Sequence, residues 1–344
     1  MPIKNDCLLQ VLRGNTCDRT PIWIMRQAGR YLPEYKKLRQ KTGDFLKLCK
    51  TPELACQTTL MPINRFDLDA AIIFSDILVI PEAMGMPLKF EENKGPVFEH
   101  PIKNEKDFDN LISPPLEENL SFTFEAIKLT KIELNDKIPL IGFCGSPWTI
   151  ACYMIEGGTS KNFEKTFKMM YEQPNLLLKI LDKLTAILTE YLELQLKHGA
   201  DILMIFDTWG GILPYSKYQE FSLDFNQKII TSLNQLNTPN IFFSKGAFNH
   251  IDKIIKAAPS CIGIDWMSSL KDAQKVIGNK IAIQGNLDPS ILLANKTVVK
   301  QETEKMLNQI NTETRHIVNL GHGITPDATP DNVETLIATV RGYN

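Results

Sequence analysis

The stretch Pro21–Arg30, PIWIMRQAGR, sets the reading of the fold: an apolar run, Pro21–Met25, breaks at once into a polar loop, Arg26-Gln27-Ala28-Gly29-Arg30. Short, nearly continuous apolar runs suit strands buried on both faces, as in a parallel sheet. The same pattern recurs along the chain at Ala70–Phe74 (AAIIF), Leu140–Cys144 (LIGFC), Ile202–Phe206 (ILMIF) and Ile241–Phe243 (IFF). It returns at Cys261–Ile264 (CIGI), Ile281–Gln284 (IAIQ) and Ile317–Leu320 (IVNL). Between the runs lie amphipathic helical segments. Pro52–Ile63 opens with Thr51 as N-cap and proline at the first helical position. Pro174–His198 carries leucines at helical spacing and stops at Gly199. Tyr215–Leu236, His250–Ala257, Leu270–Ile277, Val298–Asn311 and Pro330–Arg341 continue the alternation, and Leu120–Leu134 and Ser160–Tyr171 read as inserted helices. Eight strands alternating with helices predict an α/β fold: a single (β/α)8 TIM-barrel domain over residues 1–344, with extra N-terminal and inserted helices. An open doubly wound sheet is the alternative.

Composition agrees with one large globular domain, at 344 residues, 43% hydrophobic and 23% charged. Net charge is -2, so no global basic field draws the chain to nucleic acid or membrane, and an anionic ligand would need a local basic cluster. No run approaches the roughly 20 apolar residues of a membrane span, and the start, MPIKNDCLLQ, lacks the apolar core of a signal peptide. The seven cysteines, Cys7, Cys17, Cys49, Cys56, Cys144, Cys152 and Cys261, are odd in number and form no C-x-x-C. They read as reduced thiols of a cytoplasmic protein, with neither a disulfide framework nor a structural zinc expected.

In a barrel, chemistry belongs at the C-terminal ends of the strands. The residues after the runs are Arg26 to Arg30, Ser75-Asp76, Gly145-Ser146, Asp207-Thr208-Trp209, Ser244-Lys245-Gly246, Asp265-Trp266, Gly285-Asn286 and Gly321-His322-Gly323. A single polar strand end meets solvent and means little; eight around one rim suggest a lined pocket. Arg26 and Arg30, four apart, offer planar forks for carboxylates, or else a salt-bridge pair that ties down a loop. Asp76 after a buried strand is costly to desolvate unless paired; it is an acceptor for ligand N–H groups, a stabiliser of developing positive charge, or a loop cap. The glycines beside His322 allow unusual backbone and close approach to a ligand. Tyr153 and Thr208 offer hydroxyls, Asp207 is ambiguous, and Asp265 and Asp288 read as helix caps or arginine partners. His100 and His198 read as loop or surface residues, and His250 and His316 have no evident partner. No P-loop, dinucleotide fingerprint, H-E-x-x-H or G-x-S-x-G is present.

The segment PIWIMRQAGRYLPEY, Pro21–Tyr35, resembles the N-terminal signature of the uroporphyrinogen decarboxylases. The likeness continues in order through FSDIL (Phe74–Leu78), GFCGSPWTI (Gly142–Ile150), YMIEGG (Tyr153–Gly158), QGNLDP (Gln284–Pro289) and NLGHG (Asn319–Gly323). The resemblance implies a (β/α)8 barrel that removes the four acetate carboxyls of uroporphyrinogen III to give coproporphyrinogen III in haem biosynthesis. It implies no metal or organic cofactor, a cytoplasmic homodimer, and no partner beyond its own copy and the small-molecule tetrapyrrole. Matched by motif, Asp76 would be catalytic, beneath the macrocycle. Arg26 and Arg30 would bind carboxylates, with Gln27, Ala28 and Gly29 as the backbone between them. Tyr153 and His322 would contact substrate, and Phe45 would help line the cleft. Thr208 stands where many members carry serine and keeps the hydroxyl. Two rivals remain. A corrinoid-dependent methyltransferase of the same superfamily would bind zinc through His-x-Cys, which is absent. A silent tetrapyrrole-binding protein would not need Arg26, Arg30, Asp76 and Tyr153 intact.

Overall fold

The computed structural model describes residues 2–91, 94–310 and 315–343. Among these, nine strands form: β1 (Ala71–Ile72), β2 (Leu88–Glu91), β3 (Gly95–Phe98), β4 (Leu140–Gly145), β5 (Ile202–Asp207), β6 (Asn240–Ser244), β7 (Cys261–Gly263), β8 (Ala282–Gln284) and β9 (His316–Ile317). Strands β2 and β3 pair as an antiparallel hairpin to one side. The other seven make a single parallel sheet in the order β1-β4-β5-β6-β7-β8-β9, so each strand lies beside the next in the chain. Parallel neighbours need a crossover, and helices supply it.

Successive strand residues point to opposite faces, and both faces are buried. Ile72, Ile141, Met204, Phe243, Cys261 and Ile317 belong to an inner core closed off by Leu8 and Leu12 of the helix Cys7–Leu12. Their neighbours Ala71, Leu140, Leu203, Phe242, Ile262 and Ile283 belong to a second core shared with the surrounding helices. The unbroken apolar runs of the sequence follow from this double burial.

The run Pro21–Met25 departs from expectation. It makes one bridge, Ile22 to Val318, and is not a strand, so the sheet has seven strands rather than eight. The physical reason lies in its N–H groups. Ile22 N donates to Asp69 Oδ2 (2.6 Å), Ile24 N to Gln27 Oε1 (3.1 Å) and Met25 N to Asn319 Oδ1 (2.9 Å). Side-chain oxygens thus take donors that a ladder would use. The backbone still bonds on both sides: Val318 N to Pro21 O at 2.8 Å, Trp23 N to Val318 O at 3.3 Å and Asp69 N to Ile22 O at 2.9 Å.

The helices Leu270–Ile277 and Pro330–Arg341 match their predicted spans, and Pro174–Lys197 ends one residue early. The inserted segments form as Ser121–Leu134 and Glu164–Glu172. The predicted helix at Tyr215 begins later, as a π turn, Gln219–Leu223, running into Asp224–Gln235. The predicted Val298–Asn311 is observed as Lys296–Leu307, and Asn311 lies outside the described residues. Thr51 precedes its helix, but its hydroxyl donates back to Lys47 O (2.7 Å) instead of capping. One cysteine reading is corrected: Cys7 and Cys17 are joined in a disulfide, because the helix Cys7–Leu12 and the turn after it bring their Cα atoms to 5.5 Å. The five remaining cysteines are free and buried, as small hydrophobes are. No helix among the described residues is long and apolar enough to cross a membrane.

Candidate active site

The loop after the first run is where the site begins. Arg26 has φ 65°, a left-handed backbone that a non-glycine residue adopts only when its surroundings hold it. Gln27 does that holding. Its side chain is fully buried, accepting from Ile24 N and donating to Ala70 O (3.0 Å), so it braces the loop and is not free for a ligand. Ala28 and Gly29 are half-buried, and Gly29 O accepts from Leu32 N (3.0 Å). Neither Arg26 nor Arg30 has an ion-pair partner among the described residues, which removes the salt-bridge reading of the pair. Arg30 is exposed, and its charge reaches Tyr35.

Asn319 brings the last strand's loop to this one. Its Oδ1 accepts from both Met25 N and Leu320 N, and Ile324 N bonds Met25 O (2.9 Å). The glycines of Gly321-His322-Gly323 work by close packing, not by unusual φ. A Cβ on Gly323 would stand 2.3 Å from Arg26 Cδ, and one on Gly321 would stand 2.4 Å from Trp266 N. They let protein, rather than ligand, approach. His322 is thereby set between Phe243 and Trp266, with ring centroids 6.1 and 6.4 Å away. Burial, with the charges of Arg26 and Lys245, pushes its pKa down to about 3, so the imidazole is neutral.

Asp76 stands at the end of the segment that continues β1. Its Oδ1 accepts from Leu78 N (2.8 Å), and Oδ2 accepts no hydrogen bond from a described residue. The side chain is half-open to solvent, with protein closely packed around the carboxyl. That burial pushes its pKa up, against the pull of Leu78 N–H and the charge of Arg26. Tyr153, on the helix Pro147–Glu156, senses the charges of both Asp76 and Arg26; burial pushes its hydroxyl up. Arg26, Asp76, Tyr153 and His322 are thus linked electrostatically, with Arg26 common to all. Neither Asp76 nor His322 has Arg30 among its electrostatic neighbours.

Phe45 packs on Phe74 (5.9 Å) and Phe90 (4.7 Å), and Phe74 is two residues from Asp76. Half-buried Phe143 and Phe206 (5.5 Å apart), then Phe243 (6.3 Å from Phe206), form an aromatic layer over the inner core. Thr208 follows β5, is half-buried, and its hydroxyl bonds no described residue. Asp207, ambiguous in the sequence, is structural. It is fully buried, with Ser146, Ser244, Ser222 and Thr149 hydroxyls at 2.6, 2.8, 2.9 and 3.4 Å. Burial pushes its carboxyl up while the four hydroxyls pull it back.

Several outlying expectations change. His316 does have a partner: its Nε2 lies 2.6 Å from Gly285 O, and burial lowers its pKa to about 4. His250 stacks on Tyr215 and Tyr218, with centroids at 4.6 and 4.2 Å. His198 is largely covered, stacked on Phe124 and 3.0 Å from Glu117 Oε1. Asp288 keeps its expected capping role, on the 3-10 turn Pro289–Leu293 through Ser290 N, whereas Asp265 accepts from Gly246 N, Met267 N and the Ser268 hydroxyl, with no arginine partner among the described residues. Sequence reasoning passed over Lys245. Its signal was the one used for the others, a charged residue directly after an apolar run.

Arg26, without an ion-pair partner among the described residues and acting on Asp76, Tyr153 and His322 at the C-terminal ends of a parallel sheet, marks an α/β enzyme suited to an anionic ligand. A family model described as uroporphyrinogen decarboxylase (URO-D) matches residues 3–343, and the chain belongs to that family of decarboxylases. The uroporphyrinogen decarboxylase of Vesicomyosocius okutanii is 51% identical over 338 residues, covering 98% of this chain and 97% of that protein. That of Ruthia magnifica is 48% identical over 330 residues, 95% of each. Among solved structures, a methyltransferase from Methanosarcina mazei superposes with a TM-score of 0.83 over 99% of both chains at 21% identity, a likeness of fold alone.

Proposed function

We propose that the chain decarboxylates uroporphyrinogen III, removing its four acetate carboxyls in turn to give coproporphyrinogen III. The observation that carries this reading beyond family membership is Asp76: one oxygen accepts no hydrogen bond from a described residue, burial raises the carboxyl's pKa, and the charge of Arg26, which has no ion-pair partner among the described residues, reaches it. Losing CO2 from an acetate arm leaves an electron pair that needs a sink. Protonation of a pyrrole carbon makes the ring cationic; the carboxylate then leaves as CO2, its bonding pair neutralises the ring and leaves an exocyclic methylene, a second proton on that methylene completes the methyl group, and loss of the first proton from the ring carbon restores the pyrrole. Each acetate thus consumes one proton net. Ionised Asp76 accepts the converging pyrrole N–H groups and stabilises the transient cation, an effect strengthened by low surrounding dielectric. Arg26 and Arg30 hold acetate and propionate groups in register. Tyr153, Thr208 and neutral His322 act as hydrogen-bonding contacts, and Phe45 walls the cleft. Anaerobic assay of purified protein for CO2 release from uroporphyrinogen III tests the reading; no release from folded protein would overturn it.

The family resemblance adds a cytoplasmic homodimer to the proposal, which light scattering checks against the 39.0 kDa chain mass. Backbone bonds from Pro21–Trp23 to Val318 on one side and to Asp69, just before β1, on the other support counting this run as an eighth stave that closes a (β/α)8 barrel.

A further inference from the structure

Lys245 lies one residue beyond β6, whose last residue, Ser244, is in register with Asp207 at the end of β5. Ser244 and Asp207 face the helices, where the Ser222 and Ser146 hydroxyls meet them. Ile241 and Phe243 face the inner core, and alternation carries position 245 to their side. The side chain follows that direction. Lys245 Nζ lies 5.3 Å from the centroid of the Trp266 ring, and its charge reaches His322, which Phe243 and Trp266 flank.

Among the described residues, the carboxylates of Asp265 and Asp207 at the neighbouring strand ends are spent elsewhere. Asp265 gives its oxygens to Gly246 N, Met267 N and the Ser268 hydroxyl, while Asp207 is enclosed by hydroxyls on the opposite face. Lys245 is half-buried and has no ion-pair partner among the described residues. An ammonium partly withdrawn from water without a counter-charge is unfavourable, and the indole face offsets only part of that. An anionic group arriving with the ligand would supply the rest.

We infer that Lys245 is a carboxylate-binding residue of the site, taking an acetate or propionate of the tetrapyrrole three strands along from Asp76. The inference rests on the decarboxylase reading above. Arg26 and Arg30 come from the loop after the first run; a ring with carboxylates around its whole edge needs a cation on the β6–β7 side as well. Trp266 fixes where that cation stands.

Steady-state decarboxylation of uroporphyrinogen III is compared for wild type, Lys245→Met and Lys245→Arg, with thermal melting run alongside. Met keeps the stem against Trp266 and removes the charge; Arg keeps both. The expected result is a KM for K245M raised about tenfold or more, the range for a lost hydrogen bond to a charged group, with kcat within about threefold and most of the loss recovered in K245R. Unchanged KM in K245M, or equal impairment in K245R, overturns the inference while the decarboxylase reading stands. Inactive wild type overturns that reading and the inference with it. Should K245M fail to fold, Lys245→Gln is judged by the same criteria.

Discussion

Asp76→Asn keeps the Leu78 bond and the shape of the side chain while removing its charge. It should lower the single-turnover rate by about 10²–10³, the usual cost of losing a preorganised electrostatic partner, while coproporphyrinogen still binds. An unchanged chemical step would remove Asp76 from its role. The pH profile carries a second signature. Burial raises the Asp76 carboxyl, so the acid limb of kcat/KM should inflect above the ordinary carboxylate range; His322, at about 3, adds no inflection near neutrality. At this scale the sequence was generous where spacing was diagnostic. Arg26 and Arg30 stand four apart after an apolar run, and neither has an ion-pair partner among the described residues. It was silent where meaning came from distant contacts: a lysine after a strand is ordinary until Trp266 is seen beneath it. The glycines around His322 were noticed, but what they accommodate is the Arg26 stem and the Trp266 backbone.

The helix Pro147–Glu156 and strand β5 are stitched into one unit. Ser146 caps the helix by accepting from Thr149 N (3.0 Å) and donates its own proton to Asp207. Thr149 accepts from Trp209 N (3.2 Å), and Trp148 Nε1 donates to Trp209 O (2.9 Å). Tyr153 and Thr208 are positioned by this unit. Asp207→Ala would strand four hydroxyls in a buried space, with an expected loss of about 2–4 kcal/mol by urea denaturation; a loss below about 1 kcal/mol would refute the hub. Strands β4 to β6 were readable because double burial writes itself as an unbroken apolar run. The same rule predicts a full strand at Pro21–Met25, where only Ile22 makes a bridge, the N–H groups of Ile22, Ile24 and Met25 being claimed by Asp69, Gln27 and Asn319. Burial is a local pattern, but a ladder is a partnership, and two of those oxygens lie far along the chain.

Across the whole molecule one carboxylate gathers several segments. Asp69 is fully buried and accepts from Arg19 (2.5 Å), Asn5 (2.9 Å), Arg341 (2.9 Å) and Ile22 N (2.6 Å). Burial alone would raise its pKa, but Arg19 and the other partners outweigh it and hold it below the usual value. A depressed carboxylate contributes stability that is complete above its unfolded pKa and lost as pH falls through the folded one. His316 acts earlier in the same descent. With a folded pKa of about 4 against an unfolded one of about 6.5, it leaves stability intact above pH ~6.5 and erodes it as pH drops towards 4. Urea midpoints at pH 7 and pH 5 should therefore differ, with His316 contributing about 2 kcal/mol. In His316→Asn that share of the difference disappears; an identical slope in the variant would show the imidazole uninvolved. None of this long-range bonding could be read from a sequence in which the four partners of Asp69 are scattered from Asn5 to Arg341.

The pairing of Ile22 with Val318 has a temporal side. A ribosome adds about 5–20 residues per second, so nearly 300 residues of synthesis separate the two, roughly 15–60 s. For that interval Ile22, Trp23 and Ile24, all fully buried at the end, have the Asp69 side of their surroundings but not the Val318 side. The Val318 side of this edge can be completed only once nearly the whole polypeptide has been made, so closure of the domain waits on the end of synthesis.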